Sequence, residues 1–469
     1  MASGSPHTAR SVGAHLHQYP LLDALRHRRS RRFGRGMAIP RGPFAYASRH
    51  APLPLSEEEE AALAFAACGI TGAALADLAY GPGQGGSMVA GLVSRTVASP
   101  DAINAVAVVL INDQATYLLK RPQDFPPGEI PTLIGLADQG ALTELYHRSR
   151  VRLADRRVAP PVTPDLNFNI NRWSLYAPGS TYLLPINELT AIYLNALLEA
   201  FEPEMGLFIL DERARFQPAG LAAFGKRKGG QLADDLTQGR VGTVQAIEFS
   251  LLEGVAIEQG MVLQNLALMA QALGVGGFPN FARHDYSWFQ ALNFRMGTLP
   301  ASRYFGAGRL TRLALRLLRR DAPVPYPLGL ERAGAILLRP YCPPYYPSMT
   351  AAVHAFVDSK FGAQGVFRGG AAVSAWRDPA TATAQIAPPS AAAIAATSAY
   401  AEYIHGRYGR FPAYSPPFRT ILGYQATHVD AEFYERFYRP EALSPTQRRH
   451  LEQWHAGDAA TGMAGLAGR

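Results

Sequence analysis

Near the N-terminus the chain carries the run Arg28-Arg29-Ser30-Arg31-Arg32-Phe33. If the backbone becomes extended as a preceding helix ends at Arg28, residues two apart face the same side. Arg28, Ser30 and Arg32 then project together, two guanidinium forks and a hydroxyl offered to one small acceptor. Such a set suits a terminal phosphate, whose oxygens take bidentate, charge-assisted hydrogen bonds better from Arg than from Lys. An accidental cluster is the competing reading, because only Lys120, Lys226, Lys228 and Lys360 among the 45 basic residues are lysines.

Other residues of chemical type are less well spaced. His428, Asp430, His450 and His455 could ligate a metal by residue type. His-x-Asp and His-x4-His match no metal motif, and the neighbours Phe433, Tyr434, Phe437, Tyr438 and Trp454 read as a packing tail, so no metal is expected. Gly81-Pro82-Gly83-Gln84-Gly85-Gly86 lacks the Gly-Lys-Ser/Thr ending of a P-loop and reads as a loop. Arg309 to Arg320 is a basic amphipathic helix whose Leu310, Leu313, Leu317 and Leu318 are expected to pack on the core rather than on a membrane. Tyr341-Cys342-Pro343-Pro344-Tyr345-Tyr346-Pro347 could line a pocket or form a packing corner.

The bulk numbers bound the answer. With 469 residues, 48% hydrophobic and 17% charged, the chain can bury a full core, and disorder as a default state is excluded. The net charge of +8 comes from arginine in a chain rich in Ala, Gly and Pro. That is a composition bias before it is a polyanion-binding signal, and no nucleic-acid partner is expected. Cys68 and Cys342 are too few for a disulfide framework, which points to a reducing compartment. The longest weakly polar stretch, Ala61 to Ala76, is too short to span a bilayer comfortably. The Arg-rich start superficially suits a transit peptide but has no apolar h-region. A cytoplasmic protein without integral membrane association is the expectation.

The elements that must position the arginine run can be read in order. Leu21, Leu22 and Leu25 stand at helical spacing after Tyr19-Pro20, and the helix ends near Arg29. Pro40, Pro43, Pro52 and Pro54 enforce an extended link to Ser56, which with Glu59 forms a capping box opening a helix to about Leu78. Ala105 to Ile111 reads as a buried strand, Asn112-Asp113-Gln114 as a turn and Ala115 to Leu119 as the returning strand. Helices are expected around Ala141 to His147, Leu189 to Phe201 and Ser348 to Phe361, and strands at Gly206 to Asp211 and Ala335 to Leu338. Gly242 to Leu273 is the longest helical signal, with Gly254 and Gly260 as places to bend. Val262, Leu263, Leu266, Leu268, Met269 and Leu273 point almost all the way round it, so it should be buried on most sides, in the core or against a partner subunit. Gly274-Val275-Gly276-Gly277 ends it with residues that permit left-handed backbone.

An N-terminal helix ending in Arg-Arg-Ser-x-Arg-Phe, a hairpin near residue 110 and a long buried helix ending in Gly-x-Gly together resemble the nitroreductase-like flavin oxidoreductases. The resemblance covers roughly residues 17 to 365 in order of features. It implies an α+β nitroreductase-like fold with a central, mostly antiparallel sheet flanked by helices. It assigns the grip on the FMN phosphate to Arg28, Ser30 and Arg32, with Arg29 beside them, and places Gly274, Gly276 and Gly277 near the flavin. The family's Pro-Ser-x-x-Asn-x-Gln-Pro segment corresponds here to Arg95-Thr96-Val97-Ala98-Ser99-Pro100-Asp101-Ala102-Ile103-Asn104, which lacks the Gln-Pro and looks somewhat more like the azoline-oxidising branch. Ser99 and Asn104 are its candidates for ring contacts.

By that resemblance the chain is expected to be a homodimeric FMN-dependent oxidoreductase. It would pass reducing equivalents from NAD(P)H, as co-substrate, to a small organic acceptor. The alternative is a non-redox ligand-binding or partner-binding member of the same fold. The expected organisation is a loose tail over residues 1–16, an FMN-binding domain over 17–375 and an aromatic, Pro-rich extension over 376–469. No catalytic acid or base is assigned, because flavin chemistry demands little of side chains.

Overall fold

Ser56 and Glu59 form the reciprocal capping box that their spacing predicts: the Ser56 amide donates to Glu59 Oε2 at 2.8 Å, and the Glu59 amide to Ser56 Oγ at 3.3 Å. They start helix α3 (Glu57–Cys68), which follows the short helices α1 (Val12–Leu16) and α2 (Leu21–His27). The computed structural model describes residues 12–78, 88–281, 285–369 and 373–453. Helix α3 stops ten residues before Leu78, because Gly69 is extended and the β-branched Ile70 and Thr71 leave as a strand paired with Val93–Arg95.

The central sheet contains β1 (Val106–Ile111), β2 (Thr116–Leu119), β3 (Arg150–Ala154), β4 (Thr181–Glu188), β5 (Gly276–Phe281), β6 (Phe418–Arg419) and β7 (Leu422–Thr427). Its order is β5-β7-β4-β1-β2-β3, with β6 also on β4, and every pairing in it is antiparallel. The hairpin of β1 and β2 turns where the sequence predicts, on Asn112 Oδ1, which accepts the amides of Gln114 and Ala115 at 3.0 and 2.8 Å. All of β1 is buried, as a continuous apolar run requires of a strand covered on both faces.

Those two covers come from different parts of the chain. Val106, Val108, Leu110 and Leu183 pack under α3 and the 30-residue helix α4 (Val244–Leu273), against Leu63, Val262 and Leu266. Each such fully buried side chain stabilises the fold by about 1.5–3 kcal/mol. Val109, Ile111, Tyr182 and Leu184 face the other way, onto Trp288 and Phe289. A further cluster joins the helices Thr190–Ala200, Met349–Phe361 and Ala391–Tyr408.

Three expectations are corrected and one is borne out in part. Residues 12–16 are helical and Val12 is buried, because it packs with Leu55 and Leu63, so the described part of the N-terminal tail is not loose. The segment after residue 375 is not an appended cover: β7 lies inside the sheet between β5 and β4, and its Tyr424 and Ala426 are buried core residues. Helix α4 runs through Gly254 and Gly260 as one helix; its second half, over 262–273, is buried on most sides as expected, with only Gln264 exposed, and Phe249, Ile257 and Met261 are exposed before it. In the basic helix Arg309–Leu317, all four leucines named above are exposed, and only Arg312 and Leu315 are half-buried, so the apolar face does not pack on the core. The glycine cluster at 81–86 and His455 lie outside the described residues.

Candidate functional site

Helix α2 ends as predicted. Arg28 caps it with its amide on the Ala24 carbonyl, at φ -56° and ψ 121°, so the chain leaves the helix extended. The alternation that would follow is broken one residue on, where the Arg31 amide turns back to the Arg29 carbonyl at 3.1 Å. Arg31 points inward, on the side opposite Arg28 and Ser30, and is 3% exposed. Its Nε donates to the Ala442 carbonyl at 2.7 Å and its Nη1 to Gln271 Oε1, on the last turn of α4, at 2.9 Å. Burial pushes its guanidinium down to about 10, and the phenolic oxygen of Tyr434 offsets part of that.

The remaining arginines part company. Arg32 lies over the rings of Trp173 and Phe278 at 5.2 and 4.6 Å, and its Nη2 donates to Ile170 O, Asn171 Oδ1 and Ser174 Oγ. Its Nε is buried without a hydrogen-bond partner. Arg29 is exposed, with Nη1 on the carbonyls of Arg26 and Arg28, and Ser30 is exposed beside it. Arg28 is half-buried and close enough to Tyr424 to act on its phenol electrostatically. Arg28, Arg29 and Ser30 thus form the accessible corner, whereas Arg32 is held by protein acceptors.

The glycines after α4 meet this run. Arg31 and Gly277 form an antiparallel bridge, and Gly34 forms another with Val429. A Cβ on Gly276 would stand 2.6 Å from the Arg31 carbonyl oxygen, and one on Gly277 would collide with the Tyr424 hydroxyl. Gly274 takes the left-handed cap at φ 88°, and a Cβ there would stand 2.6 Å from His450 Cβ. All three glycines make room for protein atoms.

Ser99 and Asn104 stand elsewhere. Ser99 Oγ donates to Glu258 Oε2 at 2.9 Å and accepts the Asn104 amide at 2.8 Å. Glu258 also holds the buried Arg95 at 2.6 Å. Glu258 precedes Gly274 by sixteen residues of α4, about 24 Å of helix, so these two residues do not join the arginine run. The Asn104 side chain is taken up by the carbonyls of Val93 and Ala102.

A second constellation, unreadable from local spacing, lies behind Gly274. Glu59, the capping-box residue of α3, receives His450 Nε2 on Oε1 at 2.9 Å and faces His428 Nε2 with Oε2 at 3.3 Å. All three side chains are buried. Burial works against the Glu59 carboxylate, but the hydrogen bonds from His428 and His450 outweigh it and hold Glu59 well below the usual carboxylate range. Burial also lowers His450, against the pull of Glu59. A neutral imidazole with its proton on Nε2 satisfies both directions. Asp430, in contrast, caps the helix Ala431–Phe437 by accepting the Phe433 amide at 3.1 Å.

No protein-family model matches this chain, and no curated protein matches it. Among solved structures it is similar to a candidate nitroreductase from Ralstonia eutropha JMP134, with 10% identity and a TM-score of 0.28 over 63% of this chain and 81% of that one. A likeness at that level decides neither fold nor activity. What the chain has in its own right is a mixed helix and sheet architecture and the two constellations above. No described helix is long and apolar enough to cross a membrane.

Proposed function

We propose that the chain is an FMN-dependent oxidoreductase whose cofactor phosphate rests on Arg28, Arg29 and Ser30. The observation that carries this reading is the accessible corner itself. The inward Arg31 and its bridge to Gly277 fix the backbone of the run, leaving Arg28 half-buried and Arg29 and Ser30 exposed in succession beside it. That donor set fits a dianionic phosphate, and anchoring it on a rigid edge keeps the entropy cost of binding low. Arg32 contributes its buried, unpartnered Nε behind the corner. The flavin, when bound, would supply hydride acceptance and electron transfer. The chain's own residues would hold its phosphate, and the half-buried Trp173 ring beside Arg32 would offer apolar surface to the rest.

Reducing equivalents would come from NAD(P)H and pass to a small organic acceptor. A homodimer is part of the proposal. Phe249, Ile257 and Met261 fall on one side of α4 and are 44%, 60% and 40% exposed, a seam that a second copy would cover. Cytoplasmic placement agrees with two buried free thiols. The spectrum of the purified protein tests the proposal. Bound flavin absorbance that bleaches on anaerobic addition of NADH or NADPH supports it, and a colourless protein that takes up no added FMN refutes it.

The filled positions at Gly274, Gly276 and Gly277 favour a second reading, a non-redox ligand-binding protein of the same fold. A yellow protein that neither nicotinamide reduces would select it.

A further inference from the structure

Glu59, His428 and His450 each offer one ligand atom, and these atoms lie within 4.8 Å of one another. They come from three elements that the sequence holds far apart: the first turn of α3, the residue after β7, and the helix over 445–453. Each element is fixed independently. The capping box holds Glu59. The carbonyl of His428 accepts the Arg35 amide at 3.1 Å. His450 rests on Gly274, where any side chain would displace it.

We propose that these three residues form a binding site for one divalent first-row transition-metal ion. Two imidazole nitrogens and a carboxylate are the borderline ligand set that zinc and ferrous iron accept, and calcium or magnesium would require more oxygens. The spacing agrees. Ligands about 2.1 Å from a tetrahedral ion lie about 3.4 Å apart; here His428 Nε2 is 3.3 Å from Glu59 Oε2 and His450 Nε2 is 2.9 Å from Glu59 Oε1, with one ligand atom of each residue within 4.8 Å of the others. An ion would take the place of the proton between His450 Nε2 and Glu59 Oε1.

Charge argues the same way. The cluster buries the Glu59 carboxylate between two imidazoles, and a divalent ion would offset that buried charge directly. A cleft lined by Val12, His15, Leu273, Thr446 and Arg449 opens on Glu59 and His450, giving the ion an entry path and a position for a water ligand. The ion's role is to staple the helix over 445–453 to α3 and to the end of β7. This inference is independent of the flavin.

The test is metal content and metal uptake of the full chain, purified by a route without nickel resin or chelator. Elemental analysis is expected to find about one zinc or iron per chain. After chelation, titration with Zn²⁺ or Fe²⁺ should restore it and raise the melting temperature, and Co²⁺ should give the intense visible bands of a low-coordinate N/O site. Glu59→Gln and His450→Gln, checked for folding by circular dichroism, should each weaken Zn²⁺ binding by at least about 10–100-fold. If the wild-type chain is metal-free, takes up neither Zn²⁺ nor Co²⁺, and melts at the same temperature with and without them, the site does not exist. Unchanged Zn²⁺ affinity in both folded variants overturns it equally. Should the variants fail to fold, the wild-type titration alone decides.

Discussion

Arg31 and Gly277 pair as an antiparallel bridge, so that the arginine run lies along the outer edge of β5, the edge strand of the central sheet. The pairing explains two things at once. It needs a residue without a side chain at 277, where Tyr424 fills the space, and it turns Arg31 inward onto the last turn of α4. The result is a rigid shelf from which Arg28, Arg29 and Ser30 project.

Removing the inward arginine should damage the fold before it affects ligand binding. Arg31→Met leaves the Ala442 carbonyl and Gln271 Oε1 without their charged donor in a buried setting, at a cost of about 2–3 kcal/mol. Urea unfolding of the variant reads this directly as a lower midpoint at unchanged slope. Arg29→Ala, an exposed residue bonded to its own helix end, should change stability by less than about 0.5 kcal/mol.

The exposed seam of α4 predicts assembly. Ile257→Glu combined with Met261→Glu should convert a dimer to a monomer in light scattering coupled to gel filtration, with the far-ultraviolet circular dichroism unchanged. A wild-type chain that is monomeric at micromolar concentration would show that the seam has no partner of its own kind.

Stability should also depend on one buried carboxyl. Glu248 is pushed up to about 8, chiefly by burial, while the amides of Ala413 and Tyr414, at 2.7 and 2.5 Å, pull the other way. Its folded value lies above the unfolded one, so the native state keeps a proton that the unfolded chain releases. The contribution is fully present below about pH 4.5 and is lost as the pH rises towards 8. Unfolding free energy should therefore fall across that window in the wild type and fall less in Glu248→Gln. Parallel pH profiles for the two proteins would rule out Glu248 as the source.

Much of the scaffold was legible because its signals are local. The β1 to β2 hairpin follows from an apolar run and an Asn-Asp-Gln turn, the start of α3 from its capping box, and the end of α4 from Gly274. The site was only half legible. Alternation along the arginine run assumed a plain extended strand, which sets Arg31 apart from Arg28, Ser30 and Arg32 as observed, but the turn between Arg29 and Arg31 leaves Arg29 exposed and Arg32 half-buried. Arg31 itself, Gln271 and the Glu59, His428 and His450 cluster depend on contacts across hundreds of residues, and Glu59 announced itself only as a helix cap. The place of β7 in the middle of the sheet was hidden for the same reason: a late strand does not reveal which neighbours it will insert between.

The most direct measurement is a titration of FMN with the purified chain, followed by quenching of flavin fluorescence, for the wild type and for Arg28→Glu with Arg29→Glu. The proposed function predicts saturable binding by the wild type and an affinity at least about 100-fold weaker in the variant, which loses two charge-assisted donors while keeping its melting temperature. Absence of quenching by the wild type, or equal affinity in both proteins, would contradict it.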